Sequence, residues 1–537
     1  MSKNEKRPSF LGGAAVLAAA VAIVKIIGAV YKIPFGNIVG SEGQTYFNVA
    51  YNIYNVLLTI STAGLPLAIS KLTSQAHAQG RENQKRKIFR TAIWLFFVLG
   101  LAFSLLMYFG AEQLAAMIHE PLGFWPIRAL APAVFCVCLL ACMRGYTQGQ
   151  GNMTPTAVSQ VLEALCKVCI GLPLAWYFLQ LGLGLDISAA GAILGVTIGT
   201  TVSMVFLIFY LLTHRDRTPA QDIPDSSGSI MRQVLAIGVP ITLSNSAMSI
   251  ITMVDTSNVL GRLQTIPELA DDAATLFGQY QFGMNLINLP PSFVFPVTMS
   301  LIPFAAAALT QRDTVQADRI ISSAFRIVAV LAIPAGVGLS VLGGKALLML
   351  YPAQYEDALA AGPHMRWLGI ACIFICLMNL TNAILQTYGK EKLPICTVII
   401  GGVTKIILNY VLVGNPNINI HGAPISTLCC YMVIVALNLI FVWHYSPKKP
   451  KYLQLFAKPV AASVLMGIAA WSVYGLTMQV LTGGEYAYGA NALATVVGIG
   501  AGVVVYGILV IALHILRAED LESIPKGQKL IKLLHLK

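Results

Sequence analysis

Repeated apolar runs of bilayer-spanning length constrain this chain more than any other feature. A helix needs about 20 apolar residues to cross a bilayer, and inside lipid only helices and closed barrels satisfy their own backbone polar groups. The runs predict an all-α integral membrane protein with about 14 transmembrane helices. The predicted spans are 10–33, 45–70, 91–110, 126–146, 156–181, 187–213, 233–259, 276–309, 323–342, 362–387, 393–414, 423–444, 457–481 and 491–516.

Composition supports a polytopic membrane protein. Hydrophobic residues make up 56% of the 537-residue chain and charged residues only 11%, whereas soluble proteins carry roughly 25% charged residues. The mean hydropathy is +0.72. The first run is too long for a cleavable signal and lacks a small-residue cleavage site. The connecting segments are short, so no appended soluble domain is expected.

The distribution of lysine and arginine predicts the orientation. If the N-terminus is cytoplasmic, most of the 35 basic residues fall in cytoplasmic segments, as the positive-inside rule requires. We therefore expect a bacterial cytoplasmic membrane protein with both termini cytoplasmic. The formal charge of +12 is then explained by the topology and by attraction of cytoplasmic basic residues to anionic lipid headgroups. No nucleic-acid partner is expected. Residues 517–537 are typical of a basic amphipathic helix on the inner membrane surface, with a disordered tail as the alternative.

The ten cysteines predict neither a disulfide framework nor a metal site. All lie in apolar runs, and the i,i+4 pairs Cys138/Cys142 and Cys372/Cys376 have no further ligand residues nearby. Small buried packing residues are the better interpretation, and no metal or cofactor is predicted.

The chain repeats a pattern at a separation of 238 residues. Gln148, Gly151 and Lys167 recur as Gln386, Gly389 and Lys405. Six predicted spans separate the copies, which favours two parallel lobes related by a pseudo-two-fold axis along the membrane normal; chance similarity between apolar helices is the alternative. The predicted organisation is an N-lobe (1–213), a cytoplasmic linker (214–232), a C-lobe (233–444), two further helices (445–516) and the tail (517–537).

Two lysines in the first run predict a polar interior. Lys25 and Lys32 are two helical turns apart and share one helix face. The predicted helix carries no acidic residue, and Glu42 is predicted to lie in the outer loop. A charge in a membrane helix costs at least ~2.5–3.5 kcal/mol and usually faces a cavity. Lys32 lies near the helix end, so its ammonium group could equally reach the membrane interface by snorkelling. Cations facing a cavity imply an anionic ligand, and phosphate suits a lysine point charge.

Further charges lie at membrane depth. Glu163 and Lys167 are spaced i,i+4 and predict an ion pair along one helix face. Asp255 and Lys405, on different helices, are predicted to pair because an isolated buried charge is costly. Asn409 lies one turn beyond Lys405.

Polar residues mark three more places. Asn52 and Asn55 on the second span and Asn285 on the eighth either line a pathway or hold helices together. A glycine-rich turn with a proline at the start of the next helix, where proline is tolerated, is predicted as a hinge. Its residues are Gly149, Gly151, Asn152 and Pro155.

The segments 25–28, 54–66 and above all Gly149–Pro155 resemble the polysaccharide-biosynthesis branch of the multidrug/oligosaccharidyl-lipid/polysaccharide (MOP) exporters, in particular the stage V sporulation protein B and lipid II flippase group. The resemblance implies fourteen helices in two lobes and alternating access. It implies export of an undecaprenyl-diphosphate-linked saccharide, most simply the peptidoglycan precursor lipid II, to the outer leaflet. The implied partners are the lipid-linked substrate, the bilayer and proteins of cell-wall synthesis.

The resemblance also bears on individual residues. Lys25 and Lys32 match basic residues of the first helix that face the cavity in the family, and Asp255 matches an acid that some relatives use for sodium. Lys405 and Asn409 occupy the eleventh-helix positions of that sodium site, where a lysine would substitute for the ion. Coupling to lysine deprotonation or to the membrane potential, at ~2.3 kcal/mol per charge per 100 mV, is the alternative.

Other functions predict different residues. A multidrug antiporter for cationic drugs would need acidic cavity residues, and a flippase for another lipid-linked saccharide would look the same. A membrane glycosyltransferase or polymerase would need convergent carboxylates or histidines, and the sequence shows no such cluster, so we expect no enzyme. A purely structural partner of cell-wall proteins would not require Lys25.

Overall fold

The computed structural model describes residues 10–214, 221–311, 313–446 and 448–515. Within these ranges the chain is helical and contains no β-strand, which confirms the all-α prediction. Large apolar side chains are exposed on the long helices, such as Leu212 at 68% and Val480 at 83%. That pattern suits helices surrounded by lipid tails. The predicted tail, 517–537, lies outside the described residues.

The chain divides after Gly261 into two compact units. The helices of the first unit are α1 (Phe10–Thr62), α2 (Leu65–Ala78), α3 (Glu82–Phe109), α4 (Ala111–Met117), α5 (Phe124–Gly149), α6 (Thr154–Cys166), α7 (Leu172–Gln180), α8 (Leu185–Thr213) and α9 (Ser227–Gln264), whose last residues cross the boundary. A π-helical turn, Lys167–Gly171, joins α6 to α7.

The helices of the second unit are α10 (Ala273–Ile287), α11 (Leu289–Thr310), α12 (Thr314–Leu350), α13 (Tyr355–Ala361), α14 (Met365–Thr387), α15 (Lys392–Leu412), α16 (Gly422–Tyr445), α17 (Tyr452–Thr482) and α18 (Tyr488–Ala512). Helices α17 and α18 pack on each other and on α12. Ala462, Met466, Tyr506 and Val510 form a buried cluster there.

Eleven of the described helices are long and apolar enough to cross a membrane, or twelve when a bent pair within 227–264 is counted as one span. The first, Ala19–Ala78, is 60 residues long, about three times what a bilayer requires. Gly40 interrupts it with φ 71° and ψ −171°, a conformation that favours glycine. This kink falls between the first two predicted spans. The count of fourteen stays a prediction.

The second predicted span, 45–70, is not one continuous helix. Helix α1 ends within this span, at Thr62. Helix α2 begins at Leu65 and has a proline, Pro66, in its first turn. Proline lacks an N–H, and in the first turn of α2 it leaves no helical hydrogen bond unmade, so a helix start at Leu65 suits Pro66.

The predicted linker 214–232 does not coincide with the division between the units. Helix α9 belongs with the first unit because it is hydrogen-bonded to it: Asn52 Nδ2 donates to Thr256 Oγ1 at 2.8 Å, and the Thr59 and Ser249 hydroxyls are 2.9 Å apart. The backbone N–H of Gly64 also donates to Thr242 Oγ1 at 3.2 Å. The lobe boundaries stay a prediction.

The end of the linker is attached to the first turn of α3. Asp222 accepts hydrogen bonds from the backbone N–H groups of Asn83 and Gln84, both at 2.9 Å. Asp225 accepts from Arg81 at 3.2 Å. These contacts satisfy backbone donors that a helix start leaves without partners.

Candidate functional site

The first unit contains a cavity of about 710 Å³. We call it the basic cavity, because among the described residues that line it three are cationic and one is acidic. These are Lys25, Arg144, Lys167 and Glu163. The remaining lining is mostly apolar, with a few polar side chains such as Gln148 and Gln160. Charges in so apolar a setting are weakly screened and interact strongly with a bound ion.

Lys25 and Lys32 occupy different places. Lys25 lines the basic cavity and Lys32 does not, although both lie on α1. Lys32 is half-buried, and within the described residues no carboxylate lies at ion-pair distance from it. The assignment of both lysines to substrate binding stays a prediction.

The Lys167 ammonium sits among aromatic rings. Its Nζ lies 4.6 Å from the centre of the Tyr31 ring, 4.9 Å from Tyr51 and 5.5 Å from Phe47. Each such cation–π contact contributes about 0.5–2 kcal/mol. We call Tyr31, Phe47 and Tyr51 the aromatic cluster. Contacts of this kind stabilise a cation without pairing it with a carboxylate.

The partner of Glu163 differs from the predicted one. Its carboxylate accepts a hydrogen bond from Arg144 Nη2 at 3.1 Å, and Arg144 Nε donates to Ser159 Oγ at 2.9 Å. Within the described residues no carboxylate lies at ion-pair distance from Lys167. The structure thus pairs the acid with an arginine of the preceding helix, α5.

Two buried polar atoms at the cavity lack partners. Tyr31 is 1% exposed, and neither its hydroxyl nor Gln160 Oε1 has a hydrogen-bond partner among the described residues. A buried polar group without a partner costs about 1–3 kcal/mol. Both atoms are therefore suited to bonding a ligand.

The backbone at Lys167 is irregular. The π-helical turn begins at Lys167 and ends just before Leu172–Pro173. Proline cannot donate to the carbonyl four residues earlier, and π turns relieve such mismatches and are frequent at functional sites. The turn therefore sets the direction in which Lys167 leaves its helix.

The glycine-rich turn is built as a helix stop. Gly151 has φ 80°, and its N–H donates to Gln148 O at 2.9 Å. Asn152 Nδ2 donates to the Tyr210 hydroxyl at 2.8 Å and fastens the turn to α8. Pro155 lies in the first turn of α6, and Gly149 packs against the backbone of α2 at Ser70. Its role as a hinge stays a prediction.

The other predicted residues are distributed over both units. Asn52 bonds Thr256, so it joins helices, and Asn55 is half-buried. In the second unit Asn285 is buried, Lys405 is half-buried, and Asn409 accepts a hydrogen bond from Ser426. Asp255 is buried on α9 in the first unit. The proposed Asp255–Lys405 pair stays a prediction.

The sequence reasoning missed three parts of the basic cavity. These are the role of Arg144, the aromatic cluster and Gln160. The spacing of Gln160, Glu163 and Lys167 at i, i+3 and i+7 could have indicated one polar face. The aromatic contacts cross between helices and have no comparable signal in the sequence.

Comparison with known proteins identifies relatives. The family described as "Polysaccharide biosynthesis protein" matches residues 10–308. The membrane protein YabM of Bacillus subtilis (strain 168) is 27% identical over 99% of this chain and 97% of its own length. The lipid II flippase MurJ of the same organism is 26% identical over 86% of this chain and 87% of its own length. The stage V sporulation protein B of the same organism is 24% identical over 98% of this chain and 99% of its own length.

Solved structures share the fold. The lipid II flippase MurJ in an inward closed conformation aligns with a TM-score of 0.69 at 16% identity, over 93% of this chain and 99% of that chain. An inward-facing multidrug MATE transporter of the MOP superfamily aligns with a TM-score of 0.61 at 16% identity, over 79% and 98%. Both confirm the predicted all-α membrane transporter fold.

Proposed function

The chain belongs to the polysaccharide biosynthesis protein family, and from that premise we propose that it is a flippase that carries a diphosphate-linked saccharide lipid from the inner to the outer leaflet. Lipid II, on its undecaprenyl diphosphate, is the proposed cargo. The observation that carries the proposal is the basic cavity, where Lys25 and Lys167 line one space of about 710 Å³.

The chemistry of that cavity suits a diphosphate. Lysine ammonium groups bind phosphate as point charges, and hydrogen bonds to ionised groups contribute about 1.5–3 kcal/mol each. The Tyr31 hydroxyl can donate to a phosphate oxygen, and Gln160 Oε1 can accept a hydrogen bond from a sugar hydroxyl. A cationic drug, by contrast, meets three positive groups and one carboxylate that is already paired with Arg144. This disfavours the multidrug antiporter.

A groove in the second unit supports a lipid-linked cargo. It measures about 620 Å³ and is lined by apolar side chains and glycines of α12, α17 and α18, among them Leu331, Gly338, Met466 and Val503. Such a groove can bind a long hydrocarbon chain, because burying the apolar surface of the chain is favourable. Water-soluble cargo would have no use for it.

We further propose that the termini are cytoplasmic, that the membrane is the bacterial plasma membrane, and that the chain is a transporter and not a glycosyltransferase.

Transport would be coupled to the membrane potential or would use the Asp255–Lys405 pair. Separate neutralisation of Asp255 and Lys405 should each reduce transport, and exchanging the two charges should partly restore it. Failure of the exchange to restore transport would count against the pair.

One experiment tests the cargo. A bacterium depleted of its own lipid II flippase is supplied with this protein, and lipid II on the outer leaflet is measured. The parental chain should restore surface lipid II, and K25A/K167A, present at equal amounts in the membrane, should not. Growth without lipid II at the surface would mean another cargo, and a fully active K25A/K167A variant would refute the cavity's role.

A further inference from the structure

The second unit carries a pocket of about 860 Å³ where four of its helices begin or end. The N-terminal turns of α12 and α17, the segment 448–451 and the residues that follow α18 enclose it. Among its described lining residues, six are lysine or arginine and one, Asp318, is acidic. The six are Arg319, Arg326, Lys448, Lys449, Lys451 and Lys458. Asp318 lies 3.5 Å from Lys448, so the pocket stays strongly positive.

The cations extend inward from the helix ends. Arg319 and Arg326 are two turns apart and share a face of α12, and Arg326 lies roughly 18 Å along the axis from Thr314. Arg326 is half-buried, and its Nη2 donates to Ser323 Oγ at 3.1 Å. Lys458 Nζ donates to Leu513 O at 2.9 Å. The pocket thus combines one half-buried guanidinium, that of Arg326, with the exposed cations Arg319 and Lys458.

The surroundings are those of a membrane interface. Trp443, 48% exposed, lies in the last turn of α16, and Nζ of the pocket residue Lys449 lies 4.6 Å from its ring. Tryptophan is enriched at headgroup level. Leu453 and Val315, 82% and 71% exposed, add apolar surface to the lining. The pocket combines cationic groups with adjacent apolar side chains. This combination suits an amphiphile that has an anionic headgroup.

We propose that this pocket binds the phosphate headgroup of an anionic glycerophospholipid of the cytoplasmic leaflet. Basic pockets between membrane helices on that side bind such headgroups, and arginine pairs with phosphate through two parallel hydrogen bonds. A zwitterionic headgroup would bring its own cation into a positive pocket, and free phosphate would leave the apolar side chains unused. The site belongs to the second unit and does not depend on the cargo of the basic cavity.

The test is native mass spectrometry of the purified full-length protein titrated with phosphatidylglycerol. Each cation near a lipid surface contributes about 5-fold in affinity, so R319Q/R326Q should bind about 25-fold more weakly. R319K/R326K, which keeps both charges but loses the paired hydrogen bonds of arginine, should bind more tightly than R319Q/R326Q and more weakly than the parental chain. K87Q/R90Q, which removes two basic residues of α3 in the first unit, is the matched control and should bind like the parental chain.

Several results would overturn the proposal. They are unchanged affinity in R319Q/R326Q, an equal loss in K87Q/R90Q, equally tight binding of phosphatidylcholine, and displacement of the lipid by millimolar inorganic phosphate, which would make this a free-anion site. Thermal unfolding in detergent checks that each variant is folded. If R319Q/R326Q does not fold, Lys451→Gln, which changes an exposed lysine of the pocket, replaces it. This variant should weaken lipid binding about 5-fold, and unchanged binding would equally refute the site.

Discussion

The two copies of the Gln–Gly–Lys pattern share a turn and differ in what surrounds it. Gly151 and Gly389 have φ 80° and 70°, and each donates its N–H to the glutamine carbonyl three residues earlier at 2.9 Å. Beyond the turn the copies diverge. Lys167 begins a π-helical turn, whereas Lys405 lies in the uninterrupted helix α15.

The polar neighbours differ most. Arg144, Ser159 and Glu163 form the charged network of the first unit. The residues 238 positions later are Asn382, Thr397 and Gly401. There, Asn438 accepts a hydrogen bond from Thr397 at 2.8 Å and donates to Asn382 at 2.8 Å. The same turn is thus followed by a charged network in the first unit and by a neutral network in the second.

The largest expected difference is in transport. Lys167→Ala should lower export about 50-fold, because a charge-assisted contact of about 2–3 kcal/mol is lost from the basic cavity. Lys405→Ala should lower it only about 5-fold. Surface-exposed precursor in a flippase-depleted strain measures both. Equal losses would mean that the two copies contribute alike and would break the comparison.

The next difference is in stability. Arg144→Ala leaves Glu163 partly buried without its partner and should lower the free energy of unfolding by about 2 kcal/mol. Asn382→Ala removes a neutral hydrogen bond and should cost about 1 kcal/mol. Unfolding of the detergent-solubilised proteins checks the order, and R144M/E163L, which removes both charges, should recover part of the loss. No recovery would argue against the ion pair.

The aromatic cluster predicts a smaller effect confined to the first unit. Tyr51→Leu removes one ring from Lys167 and should reduce substrate affinity about 5-fold, equivalent to about 1 kcal/mol of cation–π stabilisation. Tyr51→Phe keeps the ring and should bind normally. Binding to the purified protein distinguishes them, and an equal loss in both would assign the effect to the hydroxyl.

The shared turn predicts the smallest contrast. Gly151→Ala and Gly389→Ala each place a side chain at positive φ and should destabilise by about 1 kcal/mol, since nothing within 4 Å of either position obstructs the added carbon. The two midpoints of thermal unfolding should shift alike. A shift in one variant alone would show that the turns are not equivalent.

Part of this arrangement was predictable from the sequence. Hydropathy locates helices because lipid forces apolar surfaces outward, and Gln148–Gly151 identifies a turn because glycine adopts positive φ. Lys25 indicates a cavity because a buried charge is costly. The Arg144–Glu163 contact was not predictable, because Glu163 has two cations within reach and only packing decides between them. The contacts of Tyr31 and Tyr51 with Lys167 likewise depend on how α1 meets α6.

The most direct test of the account is the affinity of the purified protein for lipid II, measured on the parental chain and on K25Q/K167Q. The account predicts a loss of about 100-fold or more, since each charge-assisted contact contributes about 1.5–3 kcal/mol, with K25R/K167R retaining most of the binding. Unchanged affinity in K25Q/K167Q would contradict the assignment of the basic cavity to diphosphate recognition.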